Sequence, residues 1–378
     1  MRILMPCYEF PPIGGGGSRV VDGLSRELVR QGHEVDVVTT RFRGRPPSEM
    51  VDGVNIHRVN CVRLKEHFST LPEAAIYVAA SMGKIRDLVS RRSYDVNHSH
   101  FIFPDGLNAR RIRDASGLPY VITAHGSDVP GYNPHRVRLL HHLLSPLWSG
   151  ITREASALVC PSRSLQELVA KRDPALRTVR IPYGFDVGRY RNGSSRKRRI
   201  LVVTRMLRRK GIQFLLQAVK DLPLRHEIHL VGDGPYLPAL RKLAAQARVP
   251  VTFHGWLDNK SAELTRLYET SDIFALPSEQ ENFPVALMEA MDAGLAIVTT
   301  RGTGCSEVVG DTGVLVEPRD PAGLRTALES LLEKPERIRQ LGRAARDRIA
   351  TEFAWPVIAR RYVDLYTAHR VQSRRPAA

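Results

Sequence analysis

Twice in 378 residues the chain runs a short apolar strand into a special loop and then opens a helix. The first strand, Ile3–Pro6, meets Pro11-Pro12-Ile13-Gly14-Gly15-Gly16-Gly17, a turn that only glycine makes so compact. Val20, Val21, Leu24, Leu28 and Val29 then keep helical spacing, Gly32 stops the helix, and Glu34–Thr39 alternates into a second strand. The second strand–loop–helix start is Ile200–Thr204, Arg205-Met206-Leu207-Arg208-Arg209-Lys210-Gly211, and a helix from near Ile212. Each is the opening of a Rossmann-like unit, which commits the chain to an α/β fold with parallel sheets. Between them Ile181-Pro182-Tyr183-Gly184-Phe185-Asp186 and the polar run Arg189–Arg199 read as a hinge, and the length suffices for two cores. A first domain over 1–186 and a second over 187–354 are therefore expected.

The chain is 43% hydrophobic, as a globular protein is, and no run approaches the ~18 apolar residues of a membrane span. The start M-R-I-L-M-P-C-Y turns polar too soon for a signal peptide, so a cytoplasmic location is expected. Cys7, Cys61, Cys160 and Cys305 are scattered without a C-x-x-C pair, which points to buried thiols rather than a disulfide frame or zinc site. Basic residues outnumber acidic ones 25 to 18 through Asp186 and 31 to 21 beyond it, giving a net charge of +17. Such a field favours anionic partners. Without zinc-finger spacing or an aromatic–basic recognition pattern, nucleic acid is not the expected one.

The glycine loop does not make a dinucleotide site. Gly14-x-Gly16 is followed three residues on by Arg19, and the next strand ends in Thr39-Thr40-Arg41 with no acid for a ribose. Tyr120–Thr123 is a strand whose carboxyl end carries Ala124-His125-Gly126-Ser127-Asp128, the end where ligands bind in open α/β sheets. His98, His100 and His125 lack an accompanying carboxylate cluster, so no metal is expected. In the second half the basic loop 205–211 sets guanidinium and ammonium groups at a helix start, a suitable grip for a diphosphate. Glu227–Val231 closes on Gly232-Asp233-Gly234, and Thr252–His254 closes on Gly255-Trp256-Leu257. Residues 42–70 read only as loop and edge strand.

Pro277–Gly294 reads P-S-E-Q-E-N-F-P-V-A-L-M-E-A-M-D-A-G. Pro284 suits the first position of a helix over roughly 284–293, and Gly294 supplies its left-handed exit. Val285, Ala286, Leu287, Met288, Ala290 and Met291 leave no wide solvent face, yet Glu289 sits among them. A buried carboxylate needs partners: a ligand's hydroxyl pair is one solution and a basic neighbour the other. The amides of Val285 and Ala286 at the helix start suit a phosphate.

That string, with T-x-H-G-S-D and the two strand–loop–helix openings in the same order, resembles glycosyltransferase family 4 over nearly the whole chain. The resemblance implies the GT-B fold: two Rossmann-like domains facing a central cleft, with a C-terminal helix (355–378) crossing back to the first. It implies a retaining transferase that takes a nucleoside-diphosphate sugar as donor and a glycan or lipid-linked acceptor, with no metal or other cofactor. Carried over by motif, Gly15 and Gly16 approach the donor phosphates, and His125 and Asp128 lie against the sugar and reacting centre. Arg205 and Lys210 neutralise the diphosphate, Gly232 lies in a ligand-side loop, and Trp256 and Leu257 hold the base. Glu281 lies by the donor sugar, Phe283, Val285 or Ala286 contact phosphate, and Glu289 holds the ribose. This chain departs from many relatives in having Asn282 and Pro284 where they have glycines, so Pro284 cannot donate an N–H.

Two other classes fit less of the sequence. An epimerase of the same fold needs acid and base carboxylates, and a basic nucleic-acid or lipid-binding module would bind without turnover. A membrane role nonetheless has its own signal in His135–Arg153. There Leu140, Leu143, Leu144, Leu147, Trp148 and Ile151 recur at helical spacing among Arg136, Arg138, His141, His142 and Arg153. The stripe fits docking on an anionic membrane surface, or packing on the domain's own sheet.

Overall fold

The computed structural model describes residues 1–65, 69–132, 144–191, 198–222 and 226–373. It contains two compact units, one of Met1–Gly184 with Trp355–Ala378 and one of Phe185–Ala354.

The first unit holds β1 (Arg2–Pro6), β2 (Glu34–Thr40), β3 (Ser48–Val51), β4 (Val54–Val59), β5 (Val96–His100), β6 (Tyr120–Thr123), β7 (Ala157–Cys160) and β8 (Thr178–Arg180). They lie in the order β3-β4-β2-β1-β5-β6-β7-β8, and every pair is parallel except β3 with β4. Ile3, Leu4, Met5, Val37 and Val38 are wholly buried, because helices cover both faces of a parallel sheet and its strands read as continuous apolar runs. The chain winds outward from β1 to one side and resumes at β5 on the other. The loops after β1 and β5 therefore diverge and leave an opening at the strands' carboxyl ends.

The stretch expected as loop and edge strand contains a hairpin. Asp52 and Gly53 both take positive φ (51° and 80°), as a two-residue turn matching strand twist requires, and they join β3 to β4. β3 is the edge, while β4 runs inside the sheet beside β2 and holds β3 through an Arg58–Glu49 ion pair of 2.6 Å.

The second unit holds β9 (Arg199–Val203), β10 (Glu227–Val231), β11 (Val251–Gly255), β12 (Ile273–Leu276), β13 (Ala296–Thr300) and β14 (Gly313–Val316). The order β11-β10-β9-β12-β13-β14 is parallel throughout and reverses direction between β9 and β12. Ile200, Val202, Leu215, Leu216, Leu324 and Leu328 belong to one buried cluster between this sheet and its helices.

Ser162 caps the helix Arg163–Arg172 as its sequence position suggests, accepting the Leu165 N–H at 3.1 Å. The helix of the Pro277–Gly294 stretch runs Val285–Asp292. Pro284 is the capping residue in extended geometry rather than the first helical residue, and Gly294 turns left-handed at φ 67°. The last helix, Trp355–Ser373, packs into the first unit. The Trp355 ring occupies the space where a Cβ on Gly23 or Gly184 would stand, which is why both positions are glycine.

The described part of the apolar stripe lies in the helix Ser145–Glu154. Trp148 and Ile151 are buried in the first unit's own core and Leu147 packs beside them, so these positions serve the sheet and not a membrane. Leu140, Leu143, Arg136, Arg138, His141 and His142 lie outside the described residues. Among the described residues no helix is long and apolar enough to cross a membrane.

Candidate functional site

In the second unit four loops converge beyond the carboxyl ends of β9, β10, β11 and β12. After β9 the chain makes a 3-10 turn at Arg208–Lys210 and enters the helix Ile212–Val219 through Gly211, at φ 72°. A Cβ on Gly211 would run into the Pro277 carbonyl oxygen, so the basic loop seats directly on the loop after β12. The Arg209 carbonyl accepts the Glu279 N–H at 2.8 Å, and its guanidinium reaches the Gln280 carbonyl at 3.5 Å. Arg209 is thus part of the joint between loops, whereas Arg208 is exposed. Lys210 forms an ion pair with Glu281, both side chains about nine-tenths buried. Arg205 is exposed at the strand end.

On the other side of the Glu281 loop, the Gly304 N–H donates to the Glu281 carbonyl at 3.0 Å, and any Cβ on Gly304 would strike the Asn282 carbonyl. The loop carrying Glu281 is therefore held between two helix starts. Gly232 is glycine because the Thr204 carbonyl leaves no room for a Cβ. Its N–H donates to the Gly255 carbonyl at 2.7 Å, and the Met206 N–H donates to Asp233 at 2.9 Å, tying the loops after β9, β10 and β11 together. Trp256 stands 59% exposed just past β11, with Leu257 half-buried beside it. Phe283 is buried edge-on against Phe353, with centroids 5.5 Å apart, so its ring is core and only its backbone is available to a ligand. Val285 and Ala286, half-buried, open the Glu289 helix.

Glu289 is buried, and both carboxylate oxygens have partners. The Tyr268 hydroxyl donates to Oε2 at 2.9 Å and Arg189 Nη1 donates to Oε1 at 3.3 Å. One turn on, on the same face of the helix, Asp292 accepts the Gly188 N–H at 2.7 Å and the Tyr190 N–H at 3.0 Å. Sequence reasoning missed Arg189, Tyr268 and Asp292. Only the i, i+3 spacing of Glu289 and Asp292 was visible as a signal.

In the first unit His125 lies at the carboxyl end of β6. Its Nδ1 and the Tyr183 hydroxyl are 2.8 Å apart, its Nε2 and His100 Nδ1 are 3.2 Å apart, and the Phe101 ring lies tilted against it with centroids 4.4 Å apart. Burial drives the His125 pKa down to about 3, so the ring is neutral. His98 is likewise lowered to about 3 by burial and by His125, and lies 2.6 Å from the Tyr366 hydroxyl and 2.8 Å from that of Thr123. Asp128 is pushed up to about 6 by burial, against the amides it accepts: Ile102 at 2.9 Å, His125 at 3.0 Å and Gly126 at 2.9 Å. Its carboxylate staples the His125 loop to the end of β5, which makes it a positioning group.

Gly15 and Gly16 are exposed at the start of the helix Gly16–Arg30. Nothing stands within 4 Å of where a Cβ on Gly15 would be, so the protein's own packing does not demand glycine there. By contrast Gly17 lies against Phe101 and His125, where a Cβ would sit 3.2 and 3.3 Å from their rings. Among the described residues no group of three or more His, Cys, Asp or Glu side chains could hold a metal ion.

Two largely parallel sheets, each in its own unit with its loops gathered at a switch point, make an α/β architecture of the GT-B type. The models for "Glycosyltransferase Family 4" and "Glycosyl transferases group 1" match residues 14–189 and 197–334. The chain is 30% identical over 409 aligned residues to the glycogen synthase of Mycobacterium tuberculosis, covering 100% of this chain and 97% of the relative. It therefore belongs to glycosyltransferase family 4. Among solved structures, sucrose-phosphate synthase from Thermosynechococcus elongatus superposes with a TM-score of 0.81 at 22% identity, over 98% of this chain and 100% of that one. Anabaena HepE, in complex with UDP and glucose, gives 0.76 at 17% identity over 97% and 100%.

Proposed function

We propose that this glycosyltransferase moves a sugar from a nucleoside-diphosphate sugar to a hydroxyl of a glycan or lipid-linked acceptor, with retention at the anomeric carbon. The observation that carries this reading is the convergence at the β9/β12 switch point. There Arg205 and the buried Lys210–Glu281 pair lie in the loops after β9 and β12, and the helix that opens at Val285 carries the buried carboxylate of Glu289. The likeness to a structure holding UDP and glucose supports it.

In this reading the nucleotide lies across the second unit's loops. Glu289 takes the ribose hydroxyls, Trp256 and Leu257 border the base, and the amides of Phe283, Val285 and Ala286 with Arg205 and Lys210 meet the phosphates. As the diphosphate departs, negative charge develops on it, and fixed cations and helix-start amides stabilise that charge without reorganising. Glu281, tethered by Lys210, faces the donor sugar. The family resemblance also assigns Gly15, Gly16 and His125 to the donor; in the first unit Gly15 and Gly16 are exposed at a helix start and His125 is neutral at the end of its strand. The carboxylate beside His125, Asp128, is engaged by three amides, so it is not free to act as the nucleophile retaining glycosidases use, which favours attack on the face the diphosphate leaves. The chemistry requires no metal.

A thermal-shift screen against UDP-, GDP- and ADP-sugars tests the reading. Ligand at about 100 times its dissociation constant stabilises the folded state by roughly 2.7 kcal/mol. A rise with one nucleotide series, accompanied by turnover with an acceptor, supports it, and no rise with any series refutes it. With the described apolar positions spent on the core and Arg153 paired with Asp173 at 2.6 Å, the reading of docking on an anionic membrane rests on Arg136, Arg138, His141 and His142. Co-sedimentation with phosphatidylglycerol vesicles but not neutral ones, lost in Arg136→Glu/Arg138→Glu, is the expected result, and equal pelleting on both defeats it.

A further inference from the structure

We propose that Arg189 is a specificity-determining residue of the donor site: its guanidinium occupies the Glu289 oxygen that a ribose needs, and the ribose diol enters by displacing it. The inference rests on the donor reading above and adds a residue to it.

The Glu289 side chain is only 2% exposed, so in this structure no ribose reaches it unless something moves. Of the two groups described on its oxygens, Tyr268 is not the mobile one. Its ring is wholly buried, stacked on Phe274 with centroids 6.0 Å apart and tilted against Tyr190 at 4.9 Å. Arg189 is different. Its side chain is 30% exposed, and its contact with Oε1 at 3.3 Å is long for a charge-assisted hydrogen bond. A guanidinium N–H donates to a carboxylate oxygen as a ribose hydroxyl does, so at Oε1 the one can stand in for the other.

The backbone under Arg189 is fixed independently of its side chain, which lies over the Tyr190 ring at 5.1 Å. Asp292 accepts the amides on either side, from Gly188 and Tyr190, so release of Glu289 requires a rotamer change rather than a loop movement. The other end of the guanidinium donates to the Asn259 carbonyl, three residues beyond Trp256. One side chain thus links the ribose carboxylate to the loop read as the base side.

A ligand that must displace an internal group binds more weakly by the fraction of molecules in which that group has already left. Only a nucleotide with ribose hydroxyls can use the vacated oxygen. Calorimetry on the full chain with UDP and with 2′,3′-dideoxy-UDP, and with the GDP and ADP pairs in parallel, tests this in wild type, Arg189→Gln and Arg189→Lys. Arg189→Gln is expected to bind the ribose form roughly tenfold more tightly, the scale of one charge-assisted hydrogen bond, with the dideoxy form unchanged. Arg189→Lys, which keeps the charge without the fork, falls between. The ribo-to-dideoxy ratio within each variant does not depend on the folded fraction. A ratio unchanged from wild type, or weaker ribose binding in Arg189→Gln, overturns the proposal and leaves Arg189 a fixed structural partner or a direct ligand. A wild type that binds none of the three diphosphates instead defeats the donor reading, and this inference with it.

Discussion

Breaking the Lys210–Glu281 pair separates what holds the donor loops from what acts on the donor. The side chains are 9% and 10% exposed, so removing one partner leaves the other charged and nearly out of water. Loss of one member of a buried pair costs about 3–5 kcal/mol, whereas replacing both by well-packed uncharged groups of similar volume is often neutral or stabilising. The second unit, Phe185–Ala354, is of a size for which 1 kcal/mol moves the melting midpoint by about 2–4 °C, so Lys210→Met alone should melt roughly 10 °C early. Lys210→Met/Glu281→Gln should recover most of that loss. Activity should not follow stability. An ammonium that neutralises a departing diphosphate has no replacement in the double variant, so kcat stays low and falls by more than KM rises. Melting curves and steady-state kinetics on wild type and the two variants decide it. A double variant with wild-type turnover would refute the role of Lys210 at the phosphates, and a single variant as stable as the double would refute the account of the pair.

Glu289→Ala is expected to weaken nucleoside diphosphate binding by about 1.5–3 kcal/mol, as for a lost hydrogen bond to a charged group, and unchanged calorimetric affinity in a folded variant rejects the ribose assignment. Treatment with EDTA should leave turnover intact; loss of activity that Mg²⁺ or Mn²⁺ restores rejects the metal-free mechanism. His98 has its pKa lowered to about 3 from an ordinary 6.5, so the unfolded chain binds the extra proton between those values. Its contribution to stability is therefore present above pH 6.5 and lost as pH falls toward 3. His98→Gln should reduce the slope of stability against pH in that window by about 1.4 kcal/mol per unit, and parallel curves for the two proteins from pH 7 to 4 would contradict the burial argument.

The elements legible in the sequence were those whose signal is local. β1, the glycine loop and its helix, and the helix after Pro284 carry their own spacing and stops, so they were read to within a residue or two. Asp52-Gly53 was a local signal left unread: the dipeptide marks a tight hairpin, but short strands of mixed polarity hid it. Pro284 caps the helix instead of opening it, because its fixed φ suits a capping position as well as the first helical turn. The site was legible as a set of residue types at strand ends, since parallel sheets bring those ends together. Its wiring was not. Arg189 meets Glu289 from 100 residues away, and Asp128 reaches Ile102 on a neighbouring strand end, contacts that exist only once sheet order is known. The sequence marked Glu289 as needing either a ligand or a basic neighbour, and in the structure Arg189 is that neighbour.

The most direct test of the donor site is hydrogen–deuterium exchange with and without the nucleoside diphosphate that binds best in the screen. A ligand on the second unit's carboxyl-end loops slows exchange in the backbone amides of Arg205–Gly211, Gly255–Leu257 and Glu281–Ala286, leaving out Pro284, which has no amide proton. Saturating nucleotide that leaves all three segments unchanged, or that protects only segments of the sheet's opposite end, contradicts it.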